Sequence, residues 1–126
     1  FEEKQKFKDK PNIVALAKLE KLNELSLSNK NNIKEYYVEL SYILREYIEN
    51  SLFIRTLEMT TEEIKFSNNK FPYNDLEFMN LLEILSNSDM AKYAQYNASD
   101  KELGLDLKKT MDLVNDTTQY WNLEFS

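Results

Sequence analysis

The sequence predicts an all-α protein, a compact single-domain bundle of five or six helices with short loops. Apolar residues recur at helical spacing along most of the chain, and two runs have the form of a helix-capping box. The longest apolar run covers only residues 13–17, whereas a membrane-spanning helix needs roughly 20 apolar residues. A chain of 126 residues is long enough for one domain with a shared hydrophobic core.

The first two predicted helices cover residues 12–27 and 32–52. Pro11 and Asn12 form a typical helix start, and leucine and isoleucine then recur every three or four residues. The polar stretch 26–32 ends the first helix. The second helix has a broad apolar face, and its length indicates that it forms the spine of the domain.

Residues 53–59 are predicted to form a connector, with a short extended segment as the alternative. The run from Thr60 to Glu63 then has the form of a capping box. In this arrangement the Thr60 hydroxyl accepts a hydrogen bond from the Glu63 amide, and the Glu63 carboxylate accepts one from the Thr60 amide. We therefore expect a short third helix over residues 61–67.

A fourth helix is predicted over residues 74–87, after a turn at 71–74. The polar run 86–88 is expected to interrupt this helix, because serine and asparagine favour caps over helix interiors. One further helical turn, which contains Tyr93, would follow the interruption.

The last helix is predicted to begin at Ser99, where Ser99 and Glu102 form a second capping box. Its inward-facing stripe would consist of Leu103, Leu107, Met111, Val114, Thr118 and Trp121. Gly104 falls in the first turns, where glycine costs about 1 kcal/mol relative to alanine. We therefore expect either a close approach of another backbone at Gly104 or a later start of the helix.

The composition excludes several kinds of chemistry. The chain has no histidine and no cysteine, so serine hydrolase triads, cysteine nucleophiles and thiolate zinc sites are ruled out. A single glycine cannot form a glycine-rich phosphate loop. The net charge of -6 argues against binding to the nucleic-acid backbone, which requires a clustered basic surface. We expect no cofactor, no metal and no enzymatic activity.

The acidic cluster of Glu58, Glu62 and Glu63 is the remaining candidate for acid–base chemistry or a hard-cation site. The capping box gives Glu63 a sufficient structural role, and carboxylates are favoured at helix starts by the helix dipole. We therefore favour the structural interpretation. A carboxylate-dependent hydrolase stays as an alternative function, together with a helical nucleic-acid-binding module.

Candidate contacts with a partner protein come from aromatic and arginine residues, which are enriched at interfaces. Tyr36 and Tyr42 lie outside the tightest apolar stripe of the second helix. Arg45 lies off the apolar face of the same helix, where it could anchor a partner or tie the connector to an internal carboxylate. The predicted partner contacts are Tyr42, Arg45, Glu58, Lys92 and Tyr93.

Three runs of sequence, LSYILREYI at 40–48, LEMTTEEI at 57–64 and DMAKYA at 89–94, carry a family resemblance. In this order they resemble the cytoplasmic helical domain of BatD-like bacterial membrane proteins. The third run departs from the family pattern, which has valine and phenylalanine where this chain has Met90, Ala91 and Tyr93. No catalytic residues are defined for the family, so none can be transferred to this sequence.

The resemblance implies a protein-interaction module on the cytoplasmic face of the inner membrane, in a bacterium of the Bacteroidetes type. It also implies candidate partners, namely von Willebrand A-domain proteins or a MoxR-type ATPase. Residues 1–11 would form a flexible leader that follows a membrane-spanning segment, and residues 12–126 would form the single helical domain. The membrane would then be reached only through that preceding anchor.

Overall fold

The structure, a computed structural model, describes residues 9–28, 33–93 and 98–121. Within these ranges it contains five α-helices, no strand and short connections, so the predicted all-α bundle is confirmed. Of the predicted flexible leader, residues 1–11, the structure describes only residues 9–11, and of the predicted break, residues 26–32, it describes only residues 26–28. The remainder of both segments lies outside the described residues. The helices are α1 (Pro11–Ser28), α2 (Ile33–Leu52), α3 (Thr61–Phe66), α4 (Asp75–Tyr93) and α5 (Asp100–Asp116).

Helix α2 is the centre of the bundle, because it contacts α1, α4 and α5. Its inner face supplies four of the apolar side chains that are completely shielded from solvent, namely Tyr37, Leu40, Leu44 and Ile48. Burying each side chain of this size stabilises the fold by roughly 1.5–3 kcal/mol. The predicted role of this helix as the spine is therefore confirmed.

Both predicted capping boxes are present. The Thr60 hydroxyl accepts a hydrogen bond from the Glu63 amide over 3.1 Å, and the Glu63 carboxylate accepts one from the Thr60 amide over 3.0 Å. Ser99 and Glu102 form the same reciprocal pair at the start of α5. These side chains satisfy amides that have no partner inside the helix.

The connector between α2 and α3 contains a single 3₁₀ turn, Thr56–Glu58, and no extended segment, so the connector interpretation is confirmed. It begins at Phe53, whose φ angle is 59°. This left-handed conformation is unfavourable for a residue with a side chain. Helix α2 is thus followed directly by a residue in the left-handed conformation.

Helix α4 runs without a break from Asp75 to Tyr93, so the predicted interruption at residues 86–88 is wrong. Ser88 is completely buried, and its hydroxyl donates a hydrogen bond to the carbonyl of Ile84 over 2.8 Å. The hydroxyl is therefore satisfied inside the helix and does not cap a new turn. As a result, Lys92 and Tyr93 belong to the last turn of a continuous helix.

Helix α5 begins at Asp100 and ends at Asp116, before a 3₁₀ turn at Thr118–Tyr120. The predicted inward stripe therefore continues past the end of the helix. A Cβ atom added at Gly104 would meet no other atom within 4 Å. Neither explanation offered for Gly104 holds, because the helix starts before it and no backbone lies close.

Tyr36, predicted to face a partner, is instead buried, because α5 covers it. Its hydroxyl donates a hydrogen bond to the carbonyl of Leu103 over 3.2 Å. Burial, and secondly the negative charge of Asp106, raise the pKa of Tyr36 to about 12. Tyr36 is thus a core residue that ties α2 to α5.

Candidate functional site

A surface pocket of about 440 Å³ lies where α2, the connector, the start of α3 and the end of α4 meet. We call it the Arg45–Lys92 pocket. Its lining residues are Val38, Ser41, Tyr42, Arg45, Leu57, Met59, Thr60, Thr61, Asp89, Lys92 and Tyr93. The three runs that carry the family resemblance each contribute to this lining, although they lie far apart in the sequence.

Four of the five predicted contact residues line this pocket, namely Tyr42, Arg45, Lys92 and Tyr93. Glu58 does not. Its carboxylate accepts a hydrogen bond from Arg55 over 2.7 Å, and both side chains are exposed on the 3₁₀ turn of the connector. The structure therefore brings four candidates together and leaves the fifth in an exposed ion pair.

The backbone of α2 and the connector position the pocket walls. Arg45 follows Ser41 by four residues and Tyr42 by three, so it is a neighbour of both on the surface of α2. The completely buried Thr56 hydroxyl donates a hydrogen bond to the carbonyl of Arg45 over 2.7 Å. This bond fastens the connector to α2, and it holds Leu57 and the residues that follow against the pocket.

The guanidinium of Arg45 is poorly satisfied. The side chain is buried, with only 9% of the residue exposed. Its single hydrogen bond to a described residue runs from Nη2 to the hydroxyl of Thr61, at the long distance of 3.4 Å. The Nε atom is buried and has no partner. Buried charges are normally paired and fully hydrogen-bonded.

The predicted tie between Arg45 and a carboxylate is wrong in its direct form, because Arg45 makes no ion pair among the described residues. Thr61 stands between the two charges. Its hydroxyl donates a hydrogen bond of 2.5 Å to Asp89 and accepts the long one from Arg45. Burial lowers the pKa of Arg45, and the negative charge of Asp89 acts in the opposite direction.

Lys92 supplies a second cation to the pocket. It is half-buried and has neither a hydrogen bond nor an ion pair among the described residues. Burial lowers the pKa of Lys92 first, and the positive charge of Arg45 lowers it further. The pocket therefore holds two cations and one carboxylate, a local excess of positive charge in a chain whose net charge is -6.

Exposed apolar side chains surround these charges. Val38, Tyr42 and Leu57 are each between 37% and 46% exposed, and Tyr93 is 83% exposed. The Tyr93 side chain therefore packs little against the described part of the domain. We call these four exposed side chains the apolar rim of the pocket. Cationic groups bordered by such a rim are suited to contact with another molecule.

The pocket offers little for catalysis. Asp89 is its single carboxylate, so it lacks the carboxylate pair that a hydrolase without histidine would need. Within residues 9–28, 33–93 and 98–121, no three acidic side chains come close enough to hold a metal ion. None of the helices in the described part of the chain is long and apolar enough to cross a bilayer.

The sequence did not single out two of the polar residues, Thr61 and Asp89. Thr61 belongs to the predicted start of the third helix, and Asp89 directly follows the predicted interruption at residues 86–88. A signal for both was nevertheless present, because each lies inside a run that carries the family resemblance. What the sequence lacked was the spatial arrangement that brings these runs to one pocket.

Comparisons with models of known protein families, with curated proteins and with solved structures gave no match. The resemblance to BatD-like proteins therefore rests on the three runs alone, and it stays a prediction.

Proposed function

We propose that this chain is a non-enzymatic protein–protein interaction module and that the Arg45–Lys92 pocket is its docking site. The observation that carries the proposal is the buried, poorly satisfied guanidinium of Arg45 beneath a rim of exposed apolar side chains. A partner would supply the missing hydrogen-bond acceptor and cover the rim.

The residue types at the pocket support this function. Tyrosine and arginine are enriched among the residues that dominate binding energy, which lie in pockets that become fully desolvated. Tyr42, Tyr93 and Arg45 occur together here. Tyr93 would add the largest area, because it is the most exposed of the three.

The two alternatives have less support. A nucleic-acid-binding module would need a continuous basic face, and the net charge of -6 opposes long-range attraction to phosphates. A carboxylate-dependent hydrolase would need two converging acidic groups, and the pocket has only Asp89. An interaction module requires neither feature.

The cellular setting of the proposal comes from the family resemblance. The module would act on the cytoplasmic face of a bacterial inner membrane, attached through an anchor outside the 126 residues. Von Willebrand A-domain proteins and a MoxR-type ATPase are the candidate partners. Direct binding measurements with purified proteins of these two kinds would test this part of the proposal.

A peptide-display selection tests the docking site without knowledge of the partner. Random twelve-residue peptides would be selected on the whole chain, and the enriched ones measured against two variants. Tyr93→Ala removes the exposed ring at the pocket. Phe66→Ala is the matched control, because Phe66 is 78% exposed on α3 and does not line the pocket.

We expect most enriched peptides to bind Tyr93→Ala at least about tenfold more weakly than the wild type, since truncating an interface anchor costs 1–2 kcal/mol or more. Their affinity for Phe66→Ala should not change. If the enriched peptides bind both variants as well as the wild type, the pocket is not the docking site.

A further inference from the structure

Building on the proposed docking function, we infer that the Arg45–Lys92 pocket binds a single carboxylate. This group would be the side chain of a glutamate or aspartate in an acidic segment of the partner protein, with an apolar neighbour packed on the rim. The inference names the chemistry of the ligand, which the docking function alone leaves open.

The guanidinium of Arg45 has incomplete hydrogen bonding. A guanidinium has five N–H donors, and its planar fork matches the two oxygens of a carboxylate. Only one donor of Arg45 has a partner among the described residues, at 3.4 Å. The pocket therefore contains a buried cation with unused donors, next to an open volume that an acceptor can enter.

The charge of the pocket indicates what charge its ligand carries. Among the described residues that line the pocket, Arg45 and Lys92 are opposed by Asp89 alone, which leaves one positive charge in excess. A carboxylate carries one negative charge and would bring the site to neutrality. A phosphate group carries close to two negative charges near neutral pH, and Asp89 would repel the second. The charge balance thus favours a carboxylate over a phosphate.

Apolar surfaces surround the charged groups of the pocket. Val38, Leu57 and the two tyrosines at the pocket are apolar surfaces that a free anion would not cover. A volume of about 440 Å³ accommodates an acidic side chain together with an adjacent apolar one. A peptide segment presents both groups at once, which is why we infer an acidic segment of a protein.

The experiment is an NMR titration of the whole ¹⁵N-labelled chain with three defined probes. The first probe is the capped peptide acetyl-Leu-Glu-Leu-amide. The second is the same peptide with glutamine in place of glutamate, which keeps the shape and removes the charge. The third is inorganic phosphate, and all three are compared at equal ionic strength.

We expect the glutamate peptide to shift the Nε–Hε signal of Arg45 and the amide signal of Thr61 in a saturable manner. The glutamine peptide should bind at least about tenfold more weakly, because it cannot form charge-assisted hydrogen bonds. Phosphate should shift these signals only weakly and without saturation over the same concentrations.

Two lysine variants provide the matched comparison. Lys92→Met removes the second cation of the pocket, and Lys109→Met removes another half-buried lysine, which is paired with Glu83 and does not line the pocket. Binding of the glutamate peptide should fall at least about fivefold in Lys92→Met, since partly desolvated charges interact strongly. It should stay unchanged in Lys109→Met. Preserved spectra of the free variants establish that both fold.

Three results would overturn the inference. They are equal affinity for the glutamate and glutamine peptides, saturable binding of phosphate in preference to the glutamate peptide, and no saturable binding of any probe. The peptide-display selection separates this failure from failure of the docking function. If selected peptides still require Tyr93 but carry no acidic residue, the docking site stands and only the carboxylate is wrong.

Discussion

Tyr37 and Asp106 join the central helix to the last helix through a hydrogen bond of 2.6 Å from the phenol to the carboxylate. Both residues are buried, and the amide of Asn87 donates a second hydrogen bond to Asp106 over 3.1 Å. Among the described residues the carboxylate has no cationic partner. Its charge is therefore held in the interior by neutral donors.

Replacing Tyr37 with phenylalanine should lower the free energy of unfolding by about 1.5–3 kcal/mol. The change keeps the ring and removes one donor from a buried charge, and hydrogen bonds to charged groups are worth about this much. Urea denaturation measures the loss. Tyr42→Phe is the control, because Tyr42 is 46% exposed, and it should change stability by less than about 0.5 kcal/mol. Equal losses in the two variants would contradict the prediction.

The stability of the protein should fall as the pH rises from 10 to 12. Burial holds the pKa of Tyr36 at about 12 in the folded state, whereas an unfolded tyrosine has a pKa near 10. The unfolded chain therefore loses this proton first, so the stabilising contribution is complete below pH 10 and disappears through pH 12. Burial raises the pKa of Tyr47 and Tyr73 as well, which adds to the effect.

Denaturation at several alkaline pH values measures how steeply the free energy of unfolding falls with pH. The variant Tyr36→Phe should lose stability less steeply than the wild type, by up to about 1.4 kcal/mol per pH unit. A slope that does not differ between the two proteins would show that Tyr36 does not contribute.

Ser99→Ala should reduce the free energy of unfolding by about 1 kcal/mol, because it removes the acceptor for the Glu102 amide at the start of α5. Chemical denaturation gives the difference from the wild type. Ser86→Ala makes the same change at an exposed position inside α4, where alanine is the better helix former. The Ser86→Ala control should leave the free energy of unfolding unchanged or raise it slightly. If it loses as much stability as Ser99→Ala, the loss in Ser99→Ala does not come from the capping hydrogen bond.

Phe53→Gly should be more stable than Phe53→Ala by about 1 kcal/mol. The φ angle of 59° is accessible to glycine without steric cost, whereas alanine keeps the unfavourable Cβ contact. Both variants lose the same half-exposed ring, so the difference between their stabilities reports only on the backbone conformation at residue 53. Thermal unfolding of the two variants side by side provides the measurement, and equal melting temperatures would rule out strain at this position.

Arg45→Met should leave the free energy of unfolding unchanged or raise it by about 1 kcal/mol. Replacing a poorly paired buried charge with an apolar side chain of similar size is often neutral or stabilising. Lys109→Met is the control, because it breaks an ion pair with Glu83 and should cost up to about 1 kcal/mol. A large loss in Arg45→Met would assign this arginine a structural role.

The sequence predicted the helices well where local signals agree. The capping boxes at Thr60 and Ser99 mark the starts of α3 and α5, because their hydrogen bonds involve neighbours in the chain. Ser88 was misinterpreted for the opposite reason. A serine is compatible with a cap or with a buried helical position, and only packing against other helices decides between them.

Four of the five predicted contact residues line one pocket, an arrangement that the sequence did not predict. Tyr42 and Arg45 were selected from their place on α2, and Lys92 and Tyr93 lie in the third of the runs that carry the family resemblance. Glu58 was grouped with them, although its nearest charged neighbour is Arg55. Which distant segments meet depends on tertiary packing, and a single sequence does not specify that.

For the proposed docking function, the hydrogen bond from the Thr56 hydroxyl to the carbonyl of Arg45 has a kinetic consequence. Since the connector is already attached to α2 before any partner arrives, the cavity walls need no ordering step on binding. Association should then follow a single exponential whose rate increases linearly with ligand concentration. Thr56→Val would release the connector, and a rate that levels off at high concentration would reveal the newly required rearrangement.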